Sequence, residues 1–286
     1  MNILTLKAWN RPDFLKQSLD SLSRCEGIKN YHVIISIDMA ENNTDSYLVF
    51  DEFKFNNPNI STECFVHQNR LGCAGNTRWC LENGFGPDSK YTIHLEDDVL
   101  VARDYLKYME WAANLLLQNG DIFAASPFIR ECHRPYIKSS SLNNACLRNW
   151  FEPGGGFVIT KERWKEIQAL GGVFGVDYIS ERGRHPLCYG IEWLGEIRRN
   201  DNGSWGWPFG KYHANGRKTL YPCVSRVRNI GSFGLHTKTN EFHNTYIDNL
   251  EWAGLDKYKE KNLNINMYFT DEQLYHEHGI INDTAI

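Results

Sequence analysis

Three consecutive carboxylates, Glu96-Asp97-Asp98, follow the apolar run YTIHL and precede the triplet VLV within residues 91–101. A short apolar run containing β-branched residues reads as a buried strand. Three acids at the end of such a strand repel one another and desolvate badly unless positive charge meets them. A divalent cation bridging a diphosphate meets that need. The plainer reading, in which Asp98 or Asp104 caps a helix beginning near Tyr105, requires one acid and leaves the others unexplained.

The elements around this stretch alternate. Residues 3–9 read as a strand, and Asn10-Arg11-Pro12 opens a helix with proline in its first turn. Phe14, Leu15, Ser18, Leu19 and Leu22 share one face of that helix. Residues 31–38 read as a strand ending in an acid, 44–55 as a weaker helix and 61–67 as a third strand. A helix over 71–82 carries Asn76 and Arg78; the acidic strand, an apolar helix over 105–118 and a strand over 121–127 follow. Strand–helix alternation predicts an α/β layered fold with largely parallel pairing. Ligands gather at the carboxyl ends of such sheets. Asn10, Arg11, Asp38, Arg70 and residues 96–98 all fall there.

The second half is less regular. Residues 149–160, NWFEPGGGFVIT, place a glycine triplet before a short strand. The triplet lacks the GK[ST] ending of a phosphate loop, so it reads as a bend or as close backbone approach to a ligand. A helix is predicted over 161–170, a glycine-rich loop over 171–190, a helix over 191–199, an aromatic turn over 200–209 and a strand over 220–229. The division that follows is a donor-binding half over 1–128, an acceptor-binding and catalytic half of the same domain over 129–240, and a helical tail over 241–286.

Composition narrows the class. The 286 residues can bury a large core, and a net charge of −4 argues against general attraction to nucleic acid or membrane surfaces. The start MNILTLKAWNRPD lacks a basic segment followed by a long apolar core, and no apolar run reaches roughly 18 residues, so a soluble protein without a secretory signal or membrane span is expected. Eight cysteines, at 25, 64, 73, 80, 132, 146, 188 and 223, form no CxxC pair and suit reduced thiols in the cytoplasm. The nine tryptophans and fourteen tyrosines suit sugar faces and ordinary cores alike.

The strand into Asn10-Arg11-Pro12, the strand end at Asp38 and the Glu96-Asp97-Asp98 triplet resemble nucleotide-sugar glycosyltransferases of the GT-A fold. The similarity is to the broad inverting family 2 and to the N-glycan N-acetylglucosaminyltransferase I family. The segment SWGWPFGKYHANGRKTLYPCVSRVRNIGSFGLHT, residues 204–237, is similar to an SW…NG…YP…S…NIG…H pattern of family 2-like transferases. The resemblance covers roughly residues 1–240. It implies a Rossmann-like, mixed but mostly parallel central sheet flanked by helices in a single large domain.

The same resemblance implies roles. Arg11 sits beside the nucleotide and its diphosphate, Asp38 accepts from the uracil imide, Asp97 bonds the ribose and Asp98 holds Mn2+ or Mg2+, with diphosphate and water completing the shell. Asn76 matches a family histidine that contacts the nucleotide, and Arg78 faces either the same site or a carboxylate. Arg70 and Glu96 complete the donor side. His236 matches a loop histidine brought to the metal or phosphates. Trp150, Glu152, Trp193, Trp205 and Trp207 are candidates for the acceptor side. The family's general base, an aspartate next to the tryptophan matching Trp205, is absent from its slot, where Ser204 and Gly203 stand. Asp201 is the candidate nearby, Glu192 the runner-up and Glu152 a third.

The implied activity is metal-dependent, inverting transfer of a hexosyl or N-acetylhexosaminyl group from a UDP-sugar to an acceptor hydroxyl, such as that of a glycan. Two other readings stand beside it. One is a non-catalytic glycan- or nucleotide-binding module on a degenerate GT-A fold. The other is a sugar-nucleotide nucleotidyltransferase, although LKAWNRPDF is not the glycine-rich, basic loop such enzymes carry.

Overall fold

In the first strand, β1 (Asn2–Ala8), Leu4, Leu6 and Ala8 enter an apolar core on one face, whereas Thr5 and Lys7 are buried in polar contacts on the other. This alternation organises the molecule. The computed structural model describes residues 1–40, 43–128, 144–148, 151, 155–169, 216–222, 225–231 and 267–270. After β1 come α1 (Pro12–Ser23), β2 (Tyr31–Ile37), α2 (Asn43–Asn56), β3 (Ser61–Val66), α3 (Gly72–Asn83) and β4 (Tyr91–Glu96). These follow the alternation expected from the sequence to within a residue or so. β5 (Val99–Val101), α4 (Tyr105–Gln118), β6 (Ile122–Ala125), β7 (Asn144–Arg148), β8 (Phe157–Thr160), α5 (Lys161–Ala169), β9 (Lys218–Pro222), β10 (Val227–Asn229) and β11 (Met267–Thr270) complete the described elements.

One nine-stranded sheet has the order β11-β7-β9-β6-β8-β4-β1-β2-β3. The pairs β1–β2, β2–β3, β1–β4, β6–β9 and β7–β11 are parallel, and β4–β8, β6–β8 and β7–β9 are antiparallel. The chain winds outward from β1 to β3 and then returns to place β4 on the other side of β1. The strand order reverses between β1 and β4, which in open α/β sheets is where ligands bind.

Helices cover both faces. α1, α2 and α4 pack their apolar stripes, including Leu15, Leu19, Leu22, Phe50, Phe53 and Met109, against Leu4, Leu6, Val33, Ile35, Ile93 and Leu95. α3 and α5 lie with the second apolar cluster, which contains Ala74, Leu81, Phe157, Ile159, Trp164 and Ile167. Under α3 the sheet face is polar: Thr5, Ser36, Thr92 and His94 are all fully buried there. A doubly covered parallel sheet is ordinarily apolar on both sides, so this polar layer is a departure that the site explains.

The acids end one strand as expected, and a strand read as continuous is divided. Residues 91–101 form β4, a turn at Asp97-Asp98 and then β5, which leaves the main sheet to pair antiparallel with β10. Residues 220–229 divide into the end of β9, which stops at Pro222, and β10; proline cannot donate to a ladder. β7 was not foreseen, and β11 is a strand inside the stretch read as a helical tail. Among the described residues, no helix is long and apolar enough to cross a membrane, and Cys25, Cys64, Cys73 and Cys80 are free thiols.

Candidate active site at the carboxyl ends of β1 and β4

Glu96 is the last residue of β4 and stands opposite Lys7 in the β1–β4 register. The pleat turns both toward α3, where Lys7 Nζ meets Glu96 Oε1 at 2.8 Å and donates to Thr77 Oγ1 at 3.1 Å and Cys73 Sγ at 3.2 Å. Burial opposes the charge on Lys7, but Cys73 and Glu96 outweigh it and hold the ammonium well above its ordinary range. Burial likewise opposes ionisation of Glu96, and the Lys7 ammonium overrides it, keeping this carboxyl below its usual value. His94, on the same face, is pushed down to about 3 by burial and by Lys7, so it is a neutral ring bonded to Thr5 Oγ1 at 3.1 Å.

Past Glu96 the chain turns, and Asp97 and Asp98 face Arg11 instead. Arg11 is the residue preceding α1, whose first turn is set by Pro12. Its guanidinium grips both oxygens of Asp97 and donates from Nη1 to Asp98 Oδ2 at 2.9 Å. Asp97 Oδ2 also accepts the Trp9 backbone N–H at 3.3 Å. The turn itself is pinned by Ser18 Oγ, which donates to the Asp97 carbonyl at 2.7 Å and accepts the Val99 N–H at 3.0 Å. The Asp98 carbonyl accepts the Ile230 N–H at 2.7 Å, and the Asp98 carboxylate lies against Gly231, where any Cβ would collide with it.

Among the described residues, two cations therefore face three carboxylates, and one negative charge is left over. It falls on Asp98. Its Oδ1 is buried with no hydrogen-bond partner among the described residues, and burial, with Asp97 and Glu96 nearby, pushes this carboxyl up to about 7 against the pull of Arg11. Among the described residues, no three His, Cys, Asp or Glu side chains converge into a metal cage. Within the triplet, Glu96 turns to Lys7 and Asp97 to Arg11. A single buried carboxylate with one unused oxygen fits a hard cation whose other ligands are diphosphate oxygens and water.

The remaining donor-side candidates divide. Asp38, after β2, is buried and accepts the N–H groups of Met39 (2.8 Å), Leu71 (2.7 Å) and Gly72 (2.8 Å), anchoring the start of α3. A carboxylate has about four lone-pair sites, so one acceptor position remains on Oδ2. Arg70 is exposed beside it and stacks over Trp9. Asn10 is exposed at the end of β1.

Two candidates fall outside the site. Asn76 is buried, takes the Ser36 hydroxyl proton on Oδ1 and donates from Nδ2 to the carbonyls of Ala8 (3.2 Å) and Ser36 (3.3 Å). Its amide is used to fasten α3 to the ends of β1 and β2. Arg78 lies two residues on, on the exposed face of α3, and pairs with Glu82 at 2.8 Å.

Asp104 occupies the position before α4 without capping it; its carboxylate meets Arg226 Nε at 2.7 Å, both side chains fully buried. Of the glycine triplet, Gly155 and Gly156 are described. Gly156, at φ 114°, lies so close to β4 that any Cβ there would collide with the His94 carbonyl. Trp150, Glu152, Glu192, Trp193, Asp201, Trp205, Trp207 and His236 lie outside the described residues. Sequence reasoning passed over Lys7 and Trp9 and read Ser18 only as part of a helix face. Lys7 had a signal, as a lone cation inside the apolar strand NILTLKA.

Comparisons with known proteins bear on the fold and the family. The alpha-1,3-mannosyl-glycoprotein 2-beta-N-acetylglucosaminyltransferase of Arabidopsis thaliana is 24% identical over 172 residues, 60% of this chain and 31% of that protein. The chain thus spans about a third of the length of the curated relative it matches. GalNAc-T7, solved with UDP, GalNAc and Mn2+, superposes with a TM-score of 0.51 at 12% identity, over 80% of this chain and 43% of that one. TarS 1–349 of S. aureus gives 0.47 at 11% identity over 81% and 61% of the two chains. Such identities speak to the fold alone, and that fold is GT-A. The β1–β4 switch point and its carboxylate triplet lie within residues 2–185, which match the GNT-I family, and the chain belongs to that family.

Proposed function

We propose that this chain is a metal-dependent, inverting glycosyltransferase that moves a sugar of the N-acetylhexosamine or hexose class from a UDP-sugar to a hydroxyl of a glycan. One observation carries the reading: at the switch point of the sheet, Asp98 keeps a buried oxygen without a hydrogen-bond partner among the described residues while Arg11 stands beside it. A diphosphate and a divalent cation together suit that arrangement. Asp98 would hold the cation, Mn2+ or Mg2+, which when bound offsets negative charge on the departing UDP. Arg11 supplies a second, fixed positive charge beside Asp97 and Asp98. The last lone pair of Asp38 suits an imide N–H of a pyrimidine base, and Asp97 suits a ribose hydroxyl.

In the transfer the acceptor oxygen forms a bond to the anomeric carbon while the bond from that carbon to UDP breaks, and a carboxylate takes the acceptor proton. Asp201 is our candidate for that base, followed by Glu192 and Glu152. His236 is proposed to reach the phosphates, and Trp150, Trp193, Trp205 and Trp207 to face the acceptor. The free thiols suit a reducing compartment, in keeping with a cytoplasmic location.

The test is UDP release from UDP-GlcNAc, UDP-GalNAc and UDP-glucose, with glycan acceptors, in manganese and in EDTA. Release that needs both metal and acceptor supports the reading. UDP binding without release from any donor would make the chain a binding module, and absence of UDP binding would end the nucleotide-sugar reading. Asp201→Asn should keep UDP affinity and lose roughly 10²–10⁴-fold in rate; a rate within a few-fold of wild type would pass the role to Glu192.

A further inference from the structure

β3 ends the sheet beyond β2, and among the described residues no strand pairs with its far side. His67, just past the strand, donates its N–H to the Ile37 carbonyl at 2.9 Å, so backbone groups of that parity turn toward β2. Those of Thr62, Cys64 and Val66 alternate with them and turn toward the open edge. Edge strands are ordinarily guarded by lysine, proline or a bulge. STECFV contains neither lysine nor proline, and its register with β2 runs unbroken from Ser61 to Val66.

The surface beside this edge is apolar. Of the large apolar side chains exposed among the described residues, Met39, Tyr47, Leu48, Phe55, Phe65 and Val66 lie on β3, on α2 or just past β2. Only Met1 and Leu117 lie elsewhere. Clustered exposed apolar groups mark an interaction surface. α2 buries Ser46, Phe50 and Phe53 and turns Glu52 to Lys16 of α1 at 2.8 Å. With about 3.6 residues per turn, its opposite flank carries Tyr47, Asp51 and Lys54. Tyr47 and Lys54 both lean on the Phe50 ring, each 5.9 Å from its centre. That flank overhangs β3 and holds an exposed acid one turn from an exposed base. Such a surface is complementary in charge to a copy of itself.

We propose that the chain forms a two-fold dimer in which the β3 strands of two copies pair antiparallel and join their sheets. The dimer does not depend on the transfer reading. A two-fold axis through the seam keeps each face of the joined sheet continuous, so residues of like parity stand opposite each other. Pairing centred on Cys64 sets it against Cys64 of the other copy, Thr62 against Val66, and Glu63 against Phe65. Every outward backbone group named above then has a partner. Pairing centred on Glu63 would oppose two like charges. On the α2 side the two helices run antiparallel, with Lys54 of one copy against Tyr47, and near Asp51, of the other. The contact is isologous and closes on itself, which hides the unguarded edge without building an open array.

The experiment is sedimentation velocity over a concentration series on the full chain, as wild type, Lys54→Glu, Asp51→Lys with Lys54→Glu, and Val66→Pro. The wild type should sediment as a dimer at the upper concentrations. Lys54→Glu should weaken it on the order of tenfold, as expected for two partly exposed ion pairs, and the double exchange should regain most of that loss. Val66→Pro removes an outward N–H at an edge that tolerates proline, and should be monomeric with circular dichroism unchanged. Hydrogen-bonded antiparallel partners have Cα atoms about 5.5 Å apart, within disulfide range. Air oxidation with copper phenanthroline should therefore link the wild-type chains, and Cys64→Ser should not link. A monomer at every concentration overturns the proposal, as does a trimer or larger ring. A dimer indifferent to Lys54→Glu, a double exchange that restores nothing, or a crosslink that survives Cys64→Ser also overturns it, because the contact then lies elsewhere.

Discussion

Lys7 and Glu96 stand opposite each other on neighbouring parallel strands, and their ammonium and carboxylate meet at 2.8 Å on the α3 side of the sheet. Removing one member strands the other in a poorly hydrated place. Lys7→Met should therefore destabilise the protein by about 3 kcal/mol in urea unfolding. Lys7→Met combined with Glu96→Gln should recover most of that loss, because the pair is then removed together. A double variant no more stable than Lys7→Met would mean that the lysine matters for its packing and not for its charge.

Asp98→Asn removes the surplus charge and keeps the shape. It should abolish the manganese-dependent part of UDP affinity and leave thermal stability equal or higher, since Asp97 and Glu96 lose a like-charged neighbour. Titrations with UDP in manganese and in EDTA, beside a melting curve, check both halves. Unchanged manganese dependence would remove Asp98 as the ligand.

Gly231→Ala places a methyl group against the Asp98 carboxylate. Misplacement of about 1 Å at a reacting centre costs on the order of 10²-fold. Transfer should fall on that scale with circular dichroism unchanged, and the companion substitution Gly120→Ala, at an open position near α5, should be silent.

The Arg226–Asp104 pair ties β10 to the start of α4 with neither side chain exposed. Arg226→Met alone should cost about 3–5 kcal/mol, as expected when a buried charge loses its partner. Arg226→Met with Asp104→Asn should cost distinctly less. Denaturant midpoints of the single and double variants decide it.

Where local chemistry and burial agree, the chain announces its own structure. The helix predicted over 105–118 is the helix observed, because a strong apolar stripe of Leu106, Met109, Ala113 and Leu116 faces the sheet. The gathering of Arg11, Asp38, Arg70 and the triplet at strand ends follows from the strand–helix alternation alone. What the sequence hid is direction. Glu96, Asp97 and Asp98 are neighbours in the chain, yet the pleat and the turn send the first to Lys7 and the others to Arg11. Asn76 sits at a helix position suited to a ligand contact, but α3 lies over a polar sheet face that consumes its amide. That polar layer weakens the apolar periodicity that would have shown which side of α3 is buried. β7 and β10 were missed or merged because such short strands take their pairing from partners far along the chain.

The short β5–β10 ribbon has a consequence for modularity. The carbonyl of Asp98 is held by Ile230, and its carboxylate rests on Gly231, more than a hundred residues later in the chain. The proposed donor pocket is thus not a portable cassette ending near residue 128. A chimera that grafts the first half onto another transferase's second half should keep the β1–β4 strands and lose the hold of Ile230 and Gly231 on Asp98, the proposed metal ligand, unless the junction is moved beyond residue 231. Recombination between relatives is then tolerated only where the ribbon and the carboxylate turn travel together.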